Sequence, residues 1–337
     1  MTVRYRLLGA SGLRVSELAL GTMTFGETWG WGASKDESRK IFDRFHDAGG
    51  NFVDTANNYT DGTSEEFVGE LVAPDREHFV LATKYTLTTR PDDPNAGGNH
   101  RKNLVQSLDA SLRRLRTDYV DLLWVHMWDG LTPVEEVVRA LDDLVRAGKV
   151  LHVGVSDTPA WVAARAHAIA QLRGWTPFTA VQLPYSLVDR GAERDLLPFA
   201  RELGLAVLCW GILEGGVLTG KYEDETAAPR RYTDASEQER ALAREVVAVA
   251  SEAGCSPAQV ALAWVRAQPG NLIPILGART EAQIVDNLAC LDVELEPDAL
   301  ERLSAARAID LGFPHSFLGS DHVRGLIFGT TRELIDR

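Results

Sequence analysis

YVDLLWVHMWDGLTPVEEVVRALDDLVRAGKVLHVGVS, residues 119–156, sets two compact apolar runs on either side of an amphipathic stretch. The outer runs, 119–126 and 150–156, are apolar on both faces, the pattern of strands covered on both sides in a parallel sheet. Between them, 133–148 repeats its apolar residues with a helical period, and Thr132 and Gly148 supply start and stop signals. The same unit recurs along the chain. Strand-like runs come before it at 17–22 (ELALGT), 50–55 (GNFVDT) and 78–84 (HFVLATK). Others follow at 178–183 (FTAVQL), 205–210 (LAVLCW) and 271–276 (NLIPIL). Helical patterns such as 34–49, 103–115 and 256–268 alternate with them. Eight such units predict an α/β fold, a (β/α)8 or TIM barrel, better than an open doubly wound sheet. A Gly-Ala-Ser-Gly turn at 9–12 between Tyr5–Leu8 and Leu13–Val15 adds an N-terminal β-hairpin. Outside the units lie a loop at 22–33, a Gly-rich loop with an extra helix at 214–255, and 297–337 with a further helix and an irregular tail. No linker interrupts residues 1–337, so one domain is expected.

The formal net charge is −13 and no run of Lys and Arg breaks it, which argues against sequence-independent binding to nucleic acid or an anionic membrane. No segment reaches the roughly 20 apolar residues that span a bilayer, and MTVRYRLLGASGL has no signal-peptide core. Cys209, Cys255 and Cys290 are widely spaced and form no metal-ligand pattern. They read as reduced, buried small hydrophobes, and the expectation is a soluble cytoplasmic protein without a metal.

Catalytic groups of such barrels gather where strands end and βα loops begin. The second barrel strand ends in Asp54, with Tyr59 in the loop beyond; the third ends in Lys84 and the fourth in His126. Singly each has a duller explanation as a cap, a surface group or packing; together on adjacent strand ends they suit proton delivery to a carbonyl oxygen. A free phenol, with a pKa of about 10, gives up its proton reluctantly at neutral pH. A nearby ammonium is expected to lower that value, an aspartate to hold the ammonium charged, and a histidine to orient the substrate oxygen or share the proton.

The block DTANNYTDGTSEEFVGE (54–70) resembles the aldo-keto reductase superfamily, and the similarity runs over nearly the whole chain. The resemblance implies a catalytic tetrad of Asp54, Tyr59, Lys84 and His126, with NADPH (or NADH) lying extended across the barrel rim. Consistently, no Gly-x-Gly-x-x-Gly follows any strand. It further implies that Gly21, Thr22, Met23 and Asp54 border the cofactor. Ser156, Asp157 and Gln182 would meet the nicotinamide carboxamide, and Trp210 would stack on its ring. Gly211, Ile212, Leu213, Gly215 and Lys221, in CWGILEGGVLTGKY (209–222), would cover the pyrophosphate. Gly277, Arg279, Gln283, Asp286 and Asn287, in GARTEAQIVDN (277–287), would hold the adenosine half, Arg279 reaching the 2′-phosphate. Three departures stand out. Asp157 replaces a frequent Asn, Trp210 a frequent Tyr or Phe, and Gly277 a frequent Lys, so that NADPH preference rests mainly on Arg279.

Substrate specificity in this architecture comes from long loops. Trp29, Trp31, Tyr85, Met127 and Trp128, together with Tyr59 and His126, are the expected lining, with part of 308–320 including Phe313 and Phe317. They suggest an aromatic-rich cavity for a small-molecule aldehyde or ketone with a hydrophobic body; packing of the tryptophans against the barrel is the duller alternative. The competing functions are a cofactor-binding regulatory or sensor subunit, resembling channel-associated β subunits, and a phosphate-binding barrel isomerase or lyase. The apolar stretch 323–329 can close over the pocket, cover the barrel or meet a second subunit, and the oligomeric state stays open.

Overall fold

Eight parallel strands close on one another in the computed structural model, which describes residues 3–221 and 235–335. A two-stranded antiparallel hairpin, β1 (Tyr5–Leu7) with β2 (Arg14–Ser16), precedes them. The barrel strands are β3 (Ala19–Gly21), β4 (Phe52–Asp54), β5 (Val80–Tyr85), β6 (Val120–Val125), β7 (Val150–Ser156), β8 (Ala180–Pro184), β9 (Ala206–Trp210) and β10 (Leu272–Gly277). Each pairs with its neighbours in chain order, and β10 closes the ring on β3 through Gly277↔Gly21. Around them run α1 (Lys35–Asp47), α2 (Thr63–Val72), α3 (Arg101–Leu115), α4 (Val134–Arg146), α5 (Ala160–Arg173) and α6 (Leu196–Glu202). They continue with α7 (Glu237–Ala253), α8 (Pro257–Ala267), α9 (Glu281–Leu288), α10 (Pro297–Ala306), α11 (His315–Gly319) and α12 (Asp321–Phe328).

The period-2 alternation of each strand divides the core in two. Phe52, Val80, Ala82, Leu122, Trp124, Leu208 and Ile273 fill the barrel interior. Leu81, Tyr85, Leu123, Val125, Val153 and Val207 face the helices. Leu8 and Val15 of the hairpin join the interior set and close the end where strands begin. Gly9 has φ +57, and a Cβ there would stand 2.1 Å from the Thr179 carbonyl, so only glycine lets the hairpin seat so closely. With that end plugged, the open end is where the strands finish.

The boundary signals hold in part. Ser34 caps α1, accepting from Glu37 N at 3.3 Å. At α4 the cap is Pro133, because Thr132 instead donates to Asp129 Oδ2 at 2.7 Å. The C-terminal tail carries two short helices, α11 and α12, beyond α10, more ordered than the irregular tail expected. Among the described residues no single helix is long and apolar enough to cross a membrane. Tyr222, last in the 209–222 motif, lies outside the described residues.

Trp124 is fully buried, and a Cβ on Gly154 would stand 2.4 Å from its ring, so its volume and the bare Gly154 backbone fit one another. Trp124→Ala is expected to lower unfolding free energy by about 3–5 kcal/mol through the cavity it leaves. Urea denaturation checks this, and a loss below about 1 kcal/mol would mean that the interior collapses to fill the space.

Candidate active site

Asp54 ends β4, Lys84 is the last but one residue of β5, and His126 follows β6 directly, so three neighbouring strands aim polar side chains into the open end. On β5, Ala82 and Lys84 face inward. The Lys84 Nζ is fully buried, forms an ion pair with Asp54 Oδ2, and donates to the Thr55 carbonyl at 2.8 Å. Gln182 Nε2 donates to the other Asp54 oxygen at 3.1 Å. The Lys84 ammonium lies 4.8 Å from the centroid of the Tyr59 ring, and the His126 ring meets Tyr59 edge-on at 5.9 Å. All four predicted catalytic residues therefore share one cluster.

Tyr59 is held by an unusual turn. Thr60, Asp61 and Gly62 take φ values of +46, +58 and +95, three successive left-handed residues. A β-branched residue pays for that conformation, so the surroundings must impose it. Thr60 Oγ1 donates to the Phe25 carbonyl at 2.6 Å and accepts from Ser64 N at 3.1 Å. Arg114 covers Gly62, where a Cβ would stand 3.0 Å from its Cδ, and pairs with the buried Glu65 at 2.6 Å. Glu65 also accepts from Thr83 on β5 at 2.5 Å, which ties the turn to the strand that carries Lys84. Across the mouth, Asn99 donates to Thr86 Oγ1 at 3.0 Å and the Met127 carbonyl at 2.9 Å, fixing the residues beside His126. None of these supports stood out in the sequence, although Thr60, Ser64 and Glu65 lay inside the quoted 54–70 block and Thr83 inside the 78–84 run.

The electrostatics correct one expectation. Burial pushes the Tyr59 phenol above its ordinary value; Lys84 opposes the rise, while Asp54 and Asp157 add to it. The ammonium was expected to win. It does not, because burial keeps water from the phenolate and outweighs the ammonium, and Asp54 offsets part of its field. Lys84 is itself depressed by burial, but Asp54 and Tyr59 more than offset that and hold it protonated. Burial first, and the Lys84 charge second, drive His126 well below the ordinary histidine value. At neutral pH the imidazole is therefore neutral, able to donate one hydrogen bond but not to serve as a stored acid, while Tyr59 and Lys84 both keep their protons.

Along the rim the expected cofactor residues are arranged in sequence. The Ser156 hydroxyl, at the end of β7, is buried with no hydrogen-bond partner among the described residues. Trp210, 40% exposed, presents its indole nearby, and a cavity of about 360 Å³ opens beside Asp157, Gln182 and Trp210. An unsatisfied buried hydroxyl next to an open aromatic face suits a planar amide-bearing ring. In the loop beyond, Gly211, Gly215 and Gly216 all take positive φ, and Lys221 lies against Gly216. Ile212 is buried and offers that loop only its backbone, with half-buried Leu213 beside it. After β10, Arg279 N donates to Gln283 Oε1 at 2.8 Å, and Gly277 is exposed. Buried Asn287 donates to the Gly277 carbonyl at 3.2 Å. Asp286 turns elsewhere, accepting from Ser256 Oγ at 2.9 Å and Gln259 Nε2 at 2.7 Å at the start of α8. Gly21 sits against Ile275, Met23 is half-buried, and Thr22 is buried, donating to the Asp54 carbonyl at 3.1 Å.

Two expected lining residues are corrected. Tyr85 alternates with inward-facing Lys84, so it faces the helix layer, where it is buried and donates to the Asn99 carbonyl at 3.2 Å. Trp128 packs behind the mouth with Val134, Val137 and Val162 between the strands and α4–α5. Trp29 and Trp31 form a tilted pair at 5.8 Å in the first loop, and Met127 is exposed at the rim. Phe313 and Phe317 are exposed and pack on each other.

The family model described as the aldo/keto reductase family matches residues 17–308. The chain is 40% identical to a norsolorinic acid reductase of Emericella nidulans, over 91% of this chain and 82% of that protein. It is 39% identical to a norsolorinic acid reductase of Aspergillus flavus, over 93% and 84% of the two chains. An aryl-alcohol dehydrogenase [NADP(+)] of Phanerodontia chrysosporium shares 36% identity over 94% and 89%.

The neutral imidazole has a consequence for stability. Below about pH 6.5 the unfolded chain protonates at this histidine while the folded chain resists, so the unfolded state binds more protons and stability falls with pH. The share is at most about 1.4 kcal/mol per pH unit. Urea titrations at pH 7.5 and 5.5 are expected to show a smaller loss for His126→Gln than for the wild type; parallel losses would contradict a neutral buried His126.

Proposed function

The chain belongs to the aldo/keto reductase family and is an oxidoreductase, and from that premise we propose that it interconverts an aldehyde or ketone and its alcohol with NADPH as hydride carrier and Tyr59 as proton donor. One observation carries the reading: Lys84 sits buried between the Asp54 carboxylate and the Tyr59 ring, with His126 edge-on to that ring. The nicotinamide, when bound, supplies or accepts the hydride; everything else is work for side chains. Tyr59 keeps its proton at neutral pH and gives it up as negative charge grows on the substrate oxygen. Lys84 stabilises the phenolate left behind, and Asp54 with Gln182 holds Lys84 in place. Neutral His126 orients the oxygen through a hydrogen bond.

Ser156, Asp157 and Gln182 would hold the nicotinamide end, Trp210 its face, the 211–221 loop the phosphates and Arg279 the far end. A relative whose name specifies NADP(+) supports NADPH over NADH, as does Arg279. Relatives named for norsolorinic acid and for aryl alcohols support an aromatic substrate here, and the Trp29–Trp31 pair offers it stacking surface.

Tyr59→Phe tests the assignment. Turnover of an aryl aldehyde, followed by NADPH oxidation, should fall by about 10²–10⁴, the usual worth of a general acid. NADPH affinity from fluorescence titration should stay within about twofold. Undiminished turnover would remove Tyr59 from the mechanism, and nucleotide binding without turnover of any carbonyl would favour a sensor role.

A further inference from the structure

Two places where the sequence departs from the family pattern, Asp157 and Trp210, are bonded to each other. The Trp210 Nε1–H donates to Asp157 Oδ1 at 3.2 Å. A phenylalanine ring has no such donor, and tyrosine carries its hydroxyl elsewhere. Asp157 is fixed at φ +40 at the end of β7 and has no cation within ion-pair distance among the described residues. The nearest buried cation, Lys84, is already paired with Asp54. Asp157 and the Tyr59–Lys84 cluster nonetheless feel each other's charge, so the carboxylate borders the reacting centre.

Hydride and proton must reach the two atoms of one carbonyl group. The ring that carries the hydride is thus confined to near-contact with a substrate whose oxygen meets Tyr59, at roughly 3–3.5 Å between reacting atoms. Asp157 and the open face of Trp210 share a cavity with Gln182, whose side-chain amide bonds Asp54 of the catalytic cluster. The oxidised ring is a cation and the reduced ring is neutral, and a half-buried carboxylate lacking a counter-ion distinguishes them by charge.

We propose that Asp157, held by Trp210, makes this site bind the oxidised dinucleotide in preference to the reduced one and so tilts the on-enzyme equilibrium toward carbonyl reduction. This rests on the cofactor reading given above. In that direction the carbonyl carbon takes up the hydride and its oxygen takes the Tyr59 proton, which solvent replaces. The products are the alcohol and the oxidised dinucleotide, with one proton consumed. A preference in binding for the oxidised form shifts the on-enzyme equilibrium toward that form by the same factor.

The test is a pair of dissociation constants, for NADP+ and NADPH, measured by calorimetry on the full-length wild type, Asp157→Asn and Trp210→Phe. Asp157→Asn keeps the shape and removes the charge. It should weaken NADP+ about tenfold while NADPH stays within about twofold. Trp210→Phe keeps a stacking ring and frees the carboxylate, and should lose a smaller part of the preference. Equal changes for both nucleotides, or an unchanged ratio, in Asp157→Asn overturn the role of Asp157 while leaving the cofactor reading intact. A full preference retained in Trp210→Phe overturns the role of the indole. A wild type that binds neither nucleotide overturns the cofactor reading, and this inference with it.

Discussion

The ion pair between Asp54 and Lys84 is the constraint around which the rest of the open end is arranged. Both groups are almost completely removed from water, and burial penalises each charge heavily unless a partner and further hydrogen bonds meet it. Thr55 and Gln182 supply those bonds, from β4's own loop and from β8 on the far side of the ring. The pair therefore links strands that are distant around the barrel and fixes an ammonium beside the Tyr59 ring. Buried ion pairs contribute little net stability. This one has a use: it keeps a positive charge available where a phenolate must be left behind.

A second layer of structure keeps Tyr59 facing that charge. The left-handed run Thr60–Asp61–Gly62 is unfavourable by itself, and it persists because Phe25, Arg114 and Glu65 hold it from three sides. Glu65 reaches Thr83 on the strand that also carries Lys84. Donor and stabilising charge are thereby mounted on one frame. The arrangement at Asp157 and Trp210 follows the same logic on the other side of the mouth, where two strand ends are joined by a single hydrogen bond.

Much of the architecture was legible because alternation is a local property. Each of the eight apolar runs became a barrel strand, and Asp54, Lys84 and His126 stood out as polar residues where those runs finish. Strand alternation also held the answer for Tyr85: a residue next to inward-facing Lys84 must face the helices, so its place among the lining residues contradicts the same period that found the strand. Trp128 and Asp286 were different, since their partners come from other elements and no local pattern announces them. The direction of the Tyr59 shift was hidden for a related reason. Proximity of Lys84 was readable from strand order, but the depth of burial that outweighs it arises only when the whole ring closes.

The most direct test of the central claim is the ionisation of the Tyr59 phenol, followed by carbon NMR of ring-labelled tyrosine from pH 8 upward. The comparison is between the wild type and an Asp54→Asn/Lys84→Met double variant, which leaves no lone buried charge. If the ammonium acts on the phenol as described, the wild-type signal ionises at lower pH than that of the variant, although still above a free tyrosine. Superimposable curves, or earlier ionisation in the variant, would show that Lys84 does not govern the proton on Tyr59.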